Sequence, residues 1–272
     1  MTAQTPTRPD PGRVVAELRT AEAAADGRVE LLPGLTDAVM DGWEVPVPEH
    51  VRRILRTTAG LRTLGPGGRT DEEFTVEHEA NDDPGGPFYS RCGEPGTFRV
   101  LHTNGLAEAY YVDVAADSGE WTGVFSFWDS LDGRFEAPSL EDWFIVLAKA
   151  VRSAAFAVEE GHFDGFSSAF FSVLWSDFTE KAGTTGHPEH DWRAWMDLAR
   201  APVVSAAAAR ASEDPVLTAA GAQVPDSATV ADLRGAVRRT LVPTLDLPGM
   251  GIDAAFRRFH GGRILAAIPW DD

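Results

Sequence analysis

Apolar positions recur at helical spacing over residues 13–25, where Val14, Leu18, Ala21 and Ala25 share one stripe and alanine favours the helical state. The polar residues 2–12 before them read as a loose tail. Residues 28–32 have the β-rich look of a short strand leading into Pro33-Gly34. Thr36 is placed to N-cap a helix over 37–42, its hydroxyl taking an orphan backbone N–H, and Asp37 sits in the positive first turn. Pro46 and Pro48 interrupt that helix, and Pro48 suits the first turn of the next. In this second helix Val51, Ile54, Leu55 and Thr58 line one face while Arg52, Arg53 and Arg56 point elsewhere. Gly60 is expected to end it in a left-handed cap, and Gly65-Pro66-Gly67-Gly68 is a turn.

The period then changes to two. Residues 72–79 alternate around Phe74 and Val76 and predict an edge or half-exposed strand. Residues 98–102 and 109–114 are β-rich runs joined by a loop containing Asn104-Gly105, and 121–128 is a third run with Trp121, Val124, Phe125 and Phe127. Consecutive strands with short connections predict an antiparallel meander. Ser139 begins a long helix whose Leu140, Phe144, Leu147, Val151 and Ala154 form a stripe suited to packing across a sheet. Further on, residues 165–178 suit helix or strand, 190–200 and 203–211 read as helices, and 230–233, 241–247 and 264–268 carry strand signals. The order predicts an α+β fold, an antiparallel sheet flanked by helices with a mixed helix/strand C-terminal extension. The expected organisation is a tail and N-terminal helix over 1–30, a domain over 31–162, and an extension or small second lobe over 163–272.

These pieces resemble a known family. A short helix, the Val45-Pro46-Val47-Pro48 step, a second helix, the strand Phe98 to His102, the Asn104-Gly105 turn, Tyr110-Tyr111-Val112-Asp113, a strand from Gly123 to Trp128 and the helix start Ser139-Leu140-Glu141-Asp142-Trp143-Phe144 follow one another in the order of SUKH domains. The resemblance covers residues 31–147. It implies a non-enzymatic binding protein, since the superfamily includes the yeast cell-wall-assembly regulator domain and bacterial immunity proteins that neutralise toxins.

Charge sharpens that expectation. The chain of 272 residues carries a formal net charge of -18. Residues 70–148 hold 17 acidic side chains against Arg91, Arg99 and Arg134, a net -14. Such a surface repels nucleic acid and membrane phosphate and attracts a basic protein partner. An acidic run also serves simply to keep a surface solvated. The candidate partner-binding residues are Asp71, Glu72, Glu73, Glu77, Glu79, Asp82, Asp83, Asp113, Asp117 and Glu120, expected together on one face of the sheet. A hydrophobic content of 43% excludes a mostly disordered chain. One cysteine, Cys92, suits a reducing compartment. Residues 1–13 lack an apolar signal core and no apolar run nears the roughly 20 residues of a membrane span, so a soluble, cytoplasmic protein is expected.

Catalytic signals are sparse. His187-Pro188-Glu189-His190-Asp191 is the one compact ligand-like cluster, and a metal-dependent hydrolase using His187 and His190 is an alternative reading. Pro188 keeps the two histidines out of one regular helix, no third strong ligand stands nearby, and no metal or cofactor is expected. Tyr110, Tyr111 and Asp113 are pocket candidates, though strand aromatics ordinarily serve sheet packing. His78 and His102 lie in no motif and read as surface or hydrogen-bonded histidines. No phosphate-binding loop or nucleophile elbow is present. A second alternative is an intracellular regulatory scaffold that recruits several proteins.

Overall fold

Asp10 accepts hydrogen bonds from the backbone N–H groups of Gly12 and Arg13 and so starts α1 (Pro11–Ala24), which buries Val14, Leu18 and Ala21. The computed structural model describes residues 8–82, 97–103, 109–115, 118–127, 132–176, 199–243, 254–260 and 262–269. The chain divides into two compact units, each discontinuous in sequence: Met1–Val39 with Glu49–Val76 and Glu141–Leu198, and Met40–Pro48 with Glu77–Leu140 and Ala199–Asp272. Both the expected domain over 31–162 and the extension over 163–272 are therefore shared between the units.

In the first unit, α1 is followed by β1 (Val29–Leu31), α2 (Asp37–Asp41), α3 (Glu49–Leu55), β2 (Gly60–Leu64) and β3 (Thr70–Thr75). The strands form an antiparallel sheet in the order β1-β2-β3. The Thr36 hydroxyl accepts the Val39 N–H at 3.3 Å, as its capping role requires. Val51, Ile54, Leu55 and Thr58 are buried. Gly60 does not cap α3, a correction to the sequence reading. The helix closes through Thr57 and Thr58 N–H groups donating to the Ile54 carbonyl, and Gly60 opens β2 with φ +150°. A Cβ there would stand 2.0 Å from the Phe74 carbonyl oxygen, so the close approach of β3 requires glycine. Two long helices, α4 (Leu140–Glu159) and α5 (Phe166–Ser176), complete the unit. Phe74 of β3 meets Trp143 and Phe170 at centroid distances of 6.3 and 5.7 Å, and Arg152 of α4 pairs with Glu17 of α1 at 2.8 Å.

The second unit contains β4 (Phe98–Thr103), β5 (Ala109–Val114), β6 (Trp121–Phe127) and β7 (Asp132–Ala137), the expected meander with one further strand. After them come β8 (Val203–Ser205), α6 (Ala206–Arg210), α7 (Pro215–Gly221), β9 (Thr229–Asp232), β10 (Thr240–Pro243), β11 (Ala254–Phe259) and β12 (Ile264–Pro269). Two antiparallel sheets result, in the orders β10-β7-β6-β5-β4 and β11-β12-β9-β8. Strand alternation builds three layers from them. Phe98, Val100, Tyr111, Phe125 and Phe135 of the larger sheet share a core with Ala231, Leu265 and Ala267 of the smaller one. On the smaller sheet's other face, Val230, Ile264 and Ala266 pack with Ala206, Ala209 and Ala220 of α6 and α7. Ile264 to Ala267 is thus apolar without alternation because both faces of β12 are covered. The fold is α+β, with antiparallel sheets flanked by helices. Among the described residues no helix is long and apolar enough to cross a membrane.

Candidate functional site

Alternation along β3 sorts its carboxylates onto opposite faces. Glu73 stands across from Arg62, which holds Glu30 at 2.7 Å, so Glu30, Arg62 and Glu73 form a charged row on the outward face. Glu72 stands across from the buried Thr63, on the core-facing side. Partial burial, reinforced by the Asp71 carboxylate, raises the Glu72 carboxyl above its ordinary value. Asp71 is exposed and accepts a 2.8 Å hydrogen bond from the Ser167 hydroxyl of α5.

In the second unit, residues 77–82 make a turn and a short 3₁₀ helix (Glu79–Asp82) that present Glu77, Glu79 and Asp82 to solvent. Three neighbours hold this turn against β4, an edge strand of the larger sheet. The Asn81 amide donates to the Val100 carbonyl at 2.9 Å and accepts the Val100 N–H at 2.8 Å, standing in for a neighbouring strand. The His78 Nδ1 accepts the Ala80 N–H at 3.1 Å, while Nε2 faces the Thr103 hydroxyl at 3.5 Å. Ala80 packs against the core shared by the two sheets. Burial pushes the His78 imidazole below its ordinary pKa, and the Glu79 carboxylate acts in the opposite sense. His78 is thus one of the hydrogen-bonded histidines that the sequence leads one to expect. Its hold on Ala80, two residues on, is the geometry that Asn and Asp make in turns, and it was legible only as a polar residue before Glu-Ala-Asn.

Asp113 does not belong to a docking face. It is 1% exposed, its Oδ1 lies 2.7 Å from Arg258 Nε, and its Oδ2 accepts from the Thr122 hydroxyl at 2.9 Å. Burial drives its carboxyl upward in pKa, and Arg258 and Thr122 counter that shift. A Cβ at Gly262 would stand 2.8 Å from Asp113 Oδ2, so the chain beside the pair admits only glycine without displacement. Glu120 is half-exposed in the β5–β6 connection, where its carbonyl accepts the Ala115 N–H at 2.9 Å. Asp83 and Asp117 lie outside the described residues. The single face on one sheet is therefore corrected. The β3 carboxylates belong to the three-stranded sheet, Glu77, Glu79 and Asp82 to a turn beside the five-stranded one, and Asp113 to a core. Counting charge along the chain does not register which way alternate strand residues point.

The pocket candidates serve packing. Tyr111 lies between Phe98 and Phe125 at centroid distances of 6.1 and 5.7 Å, and Tyr110 faces the other way, against His102 at 5.9 Å. That other face carries a buried polar row in register, His102, Tyr110, Ser126 and Arg134, with Glu136 next along β7. The Ser126 hydroxyl donates to Glu136 Oε1 at 2.7 Å, and Arg238 Nε lies 3.7 Å from Glu136 Oε2. The sequence reading missed this network. Its only trace was the alternation of Arg134 and Glu136 with Phe135 and Ala137, which looks identical whether the polar face meets water or protein.

His187 and His190, with Cys92, fall outside the described residues. Among the described residues no group of three His, Cys, Asp or Glu side chains is placed to hold a metal ion. Compared with known proteins, the chain matches no family model, no curated protein and no solved structure.

Proposed function

We propose that this chain is a SUKH-type binding module that works without catalysis, capturing a basic protein partner through carboxylates displayed on residues 77–82. The partner that the resemblance implies is a toxin domain. The observation that carries the reading is the turn itself: Glu77, Glu79 and Asp82 are exposed, and residues 70–82 contain six carboxylates and no lysine or arginine. Two hydrogen bonds between Asn81 and Val100 and the packing of Ala80 hold the turn on β4, and the His78–Ala80 hydrogen bond braces it from within, so little ordering entropy is lost when a partner docks. Like-signed charges on a held segment raise the encounter rate with a cation and repel phosphate-bearing surfaces.

The test is isolation of the proteins that associate with this chain in its native cell, followed by calorimetric titration of each purified candidate at low and high ionic strength. A basic partner bound stoichiometrically, with affinity falling as salt rises, supports the proposal. A partner of acidic or neutral surface, or affinity indifferent to salt, overturns it.

A further inference from the structure

We infer that His78 is a proton-operated latch that fixes the acidic turn on β4 at neutral pH and frees it in acid. The inference rests on the proposed function, because it concerns regulation of the same turn.

The latch follows from the geometry of one ring. With Nδ1 accepting the Ala80 N–H at 3.1 Å, the neutral ring carries its proton on Nε2, directed at the Thr103 hydroxyl at 3.5 Å. A second proton has only Nδ1 to occupy, and there it faces the Ala80 N–H, donor against donor. The contact that shapes the turn becomes repulsive, and the neighbouring Asn81 amide loses the backbone placement that lets it pair with Val100. Among the described residues, Glu77, Glu79 and Asp82 are the charges on the same turn as His78, and Glu79 favours the protonated ring. On β4, Thr103 does not titrate in this range, Arg99 is stacked over Trp43 at 3.5 Å, and His102 lies against Tyr110. The direction follows from linkage. The latched ring has a pKa below the ordinary 6.5, so latching is fully favoured above 6.5 and is lost as pH falls through the lowered value.

The experiment needs only the full-length protein. Amide hydrogen exchange at Ala80, Asn81 and Val100 is measured from about pH 7.5 to about pH 5 and corrected for intrinsic rates. Protection at these three amides is expected to fall by roughly threefold or more on acidification, with amides of β5 and β6 unchanged. His78→Asn is the discriminating variant, since an Asn Oδ1 accepts the same N–H two residues on and does not titrate. It should remain protected at both ends of the range, whereas His78→Ala should be open at both. Protection in the natural protein that does not depend on pH, or a His78→Asn variant that opens in acid as the natural protein does, overturns the latch. A deca-lysine peptide titrated at both pH values separates the two proposals. If exchange follows the latch but the peptide binds the natural protein and Glu77→Gln/Glu79→Gln alike, the latch stands and the acidic-capture reading fails.

Discussion

Removing Arg258 from the Asp113 pair should be among the most damaging single changes to the second unit. The Arg258 side chain is 5% exposed and the Asp113 side chain 1%, with 2.7 Å between Nε and Oδ1. With charge centres about 4 Å apart, their attraction is about 4 kcal/mol at the effective dielectric that suits protein sites. Desolvation of both ions consumes much of that, so the pair adds little net stability. Breaking it is another matter: a lone buried carboxylate costs about 3–5 kcal/mol. Arg258→Met keeps an apolar stem over the Tyr111 ring, above which the guanidinium now lies at 4.8 Å, and so isolates the charge. Asp113→Asn retains a hydrogen-bond acceptor for Thr122 and strands the arginine instead. Against a total stability of about 5–15 kcal/mol, each single change should lower the urea midpoint by roughly 1 M. The double variant should cost clearly less than the sum, with a coupling of about 2–3 kcal/mol. Tryptophan fluorescence in urea reads all four corners of the cycle. Single variants within about 1 kcal/mol of the natural protein, or strict additivity, would refute the assignment of this pair to the core.

Two further outcomes follow from local geometry. Arg234 pairs with Asp214 at 2.6 Å and Asp232 at 2.5 Å, which holds both carboxyls below their ordinary 3.8. Their contribution is present above 3.8 and lost as pH falls through the lowered values, so Arg234→Gln should flatten the acid limb of a stability-against-pH curve, measured by chemical denaturation at each pH. Gly60→Ala must displace the Phe74 carbonyl and occupy positive φ, and should cost on the order of 2 kcal/mol or more in thermal or chemical unfolding, with β2–β3 amides the first to lose exchange protection.

Much of the fold was legible because periodicity carries burial. The stripe of α1, the stripe Leu140 to Ala154 of α4 and the strands β4 to β6 all stand where the pattern places them, whereas of the strand expected over 72–79 only the part up to Thr75 is β3 and the rest is turn and 3₁₀ helix. Failures have local causes. β2 was hidden behind Gly60, whose positive φ serves a sheet contact rather than a helix end. β7 and β11 carry Arg134, Glu136, Arg257 and Arg258, and charges on a strand read as loop when the partners that neutralise them are distant in sequence. The alanine-rich pattern of 203–211 suits one helix, but Val203–Ser205 form β8, and Ser205 also caps α6 by accepting the Ala208 N–H at 3.2 Å. α7, with Asp214 as cap and Pro215 in its first turn, carries a start signal in the sequence but is too short to show a helical stripe. For the site, composition located the acidic region but not its faces. Glu72 turns inward, Asp113 is sealed in a core, and the carboxylates on 77–82 stay exposed because they follow the end of β3.

The most direct measurement is the association rate of the isolated basic partner with the natural protein and with Glu77→Gln/Glu79→Gln/Asp82→Asn, by stopped flow at low salt. Loss of three charges should slow association by on the order of tenfold, with a smaller gap at high salt, in a variant whose circular dichroism matches that of the natural protein. Equal association rates for a folded variant would contradict capture through this turn.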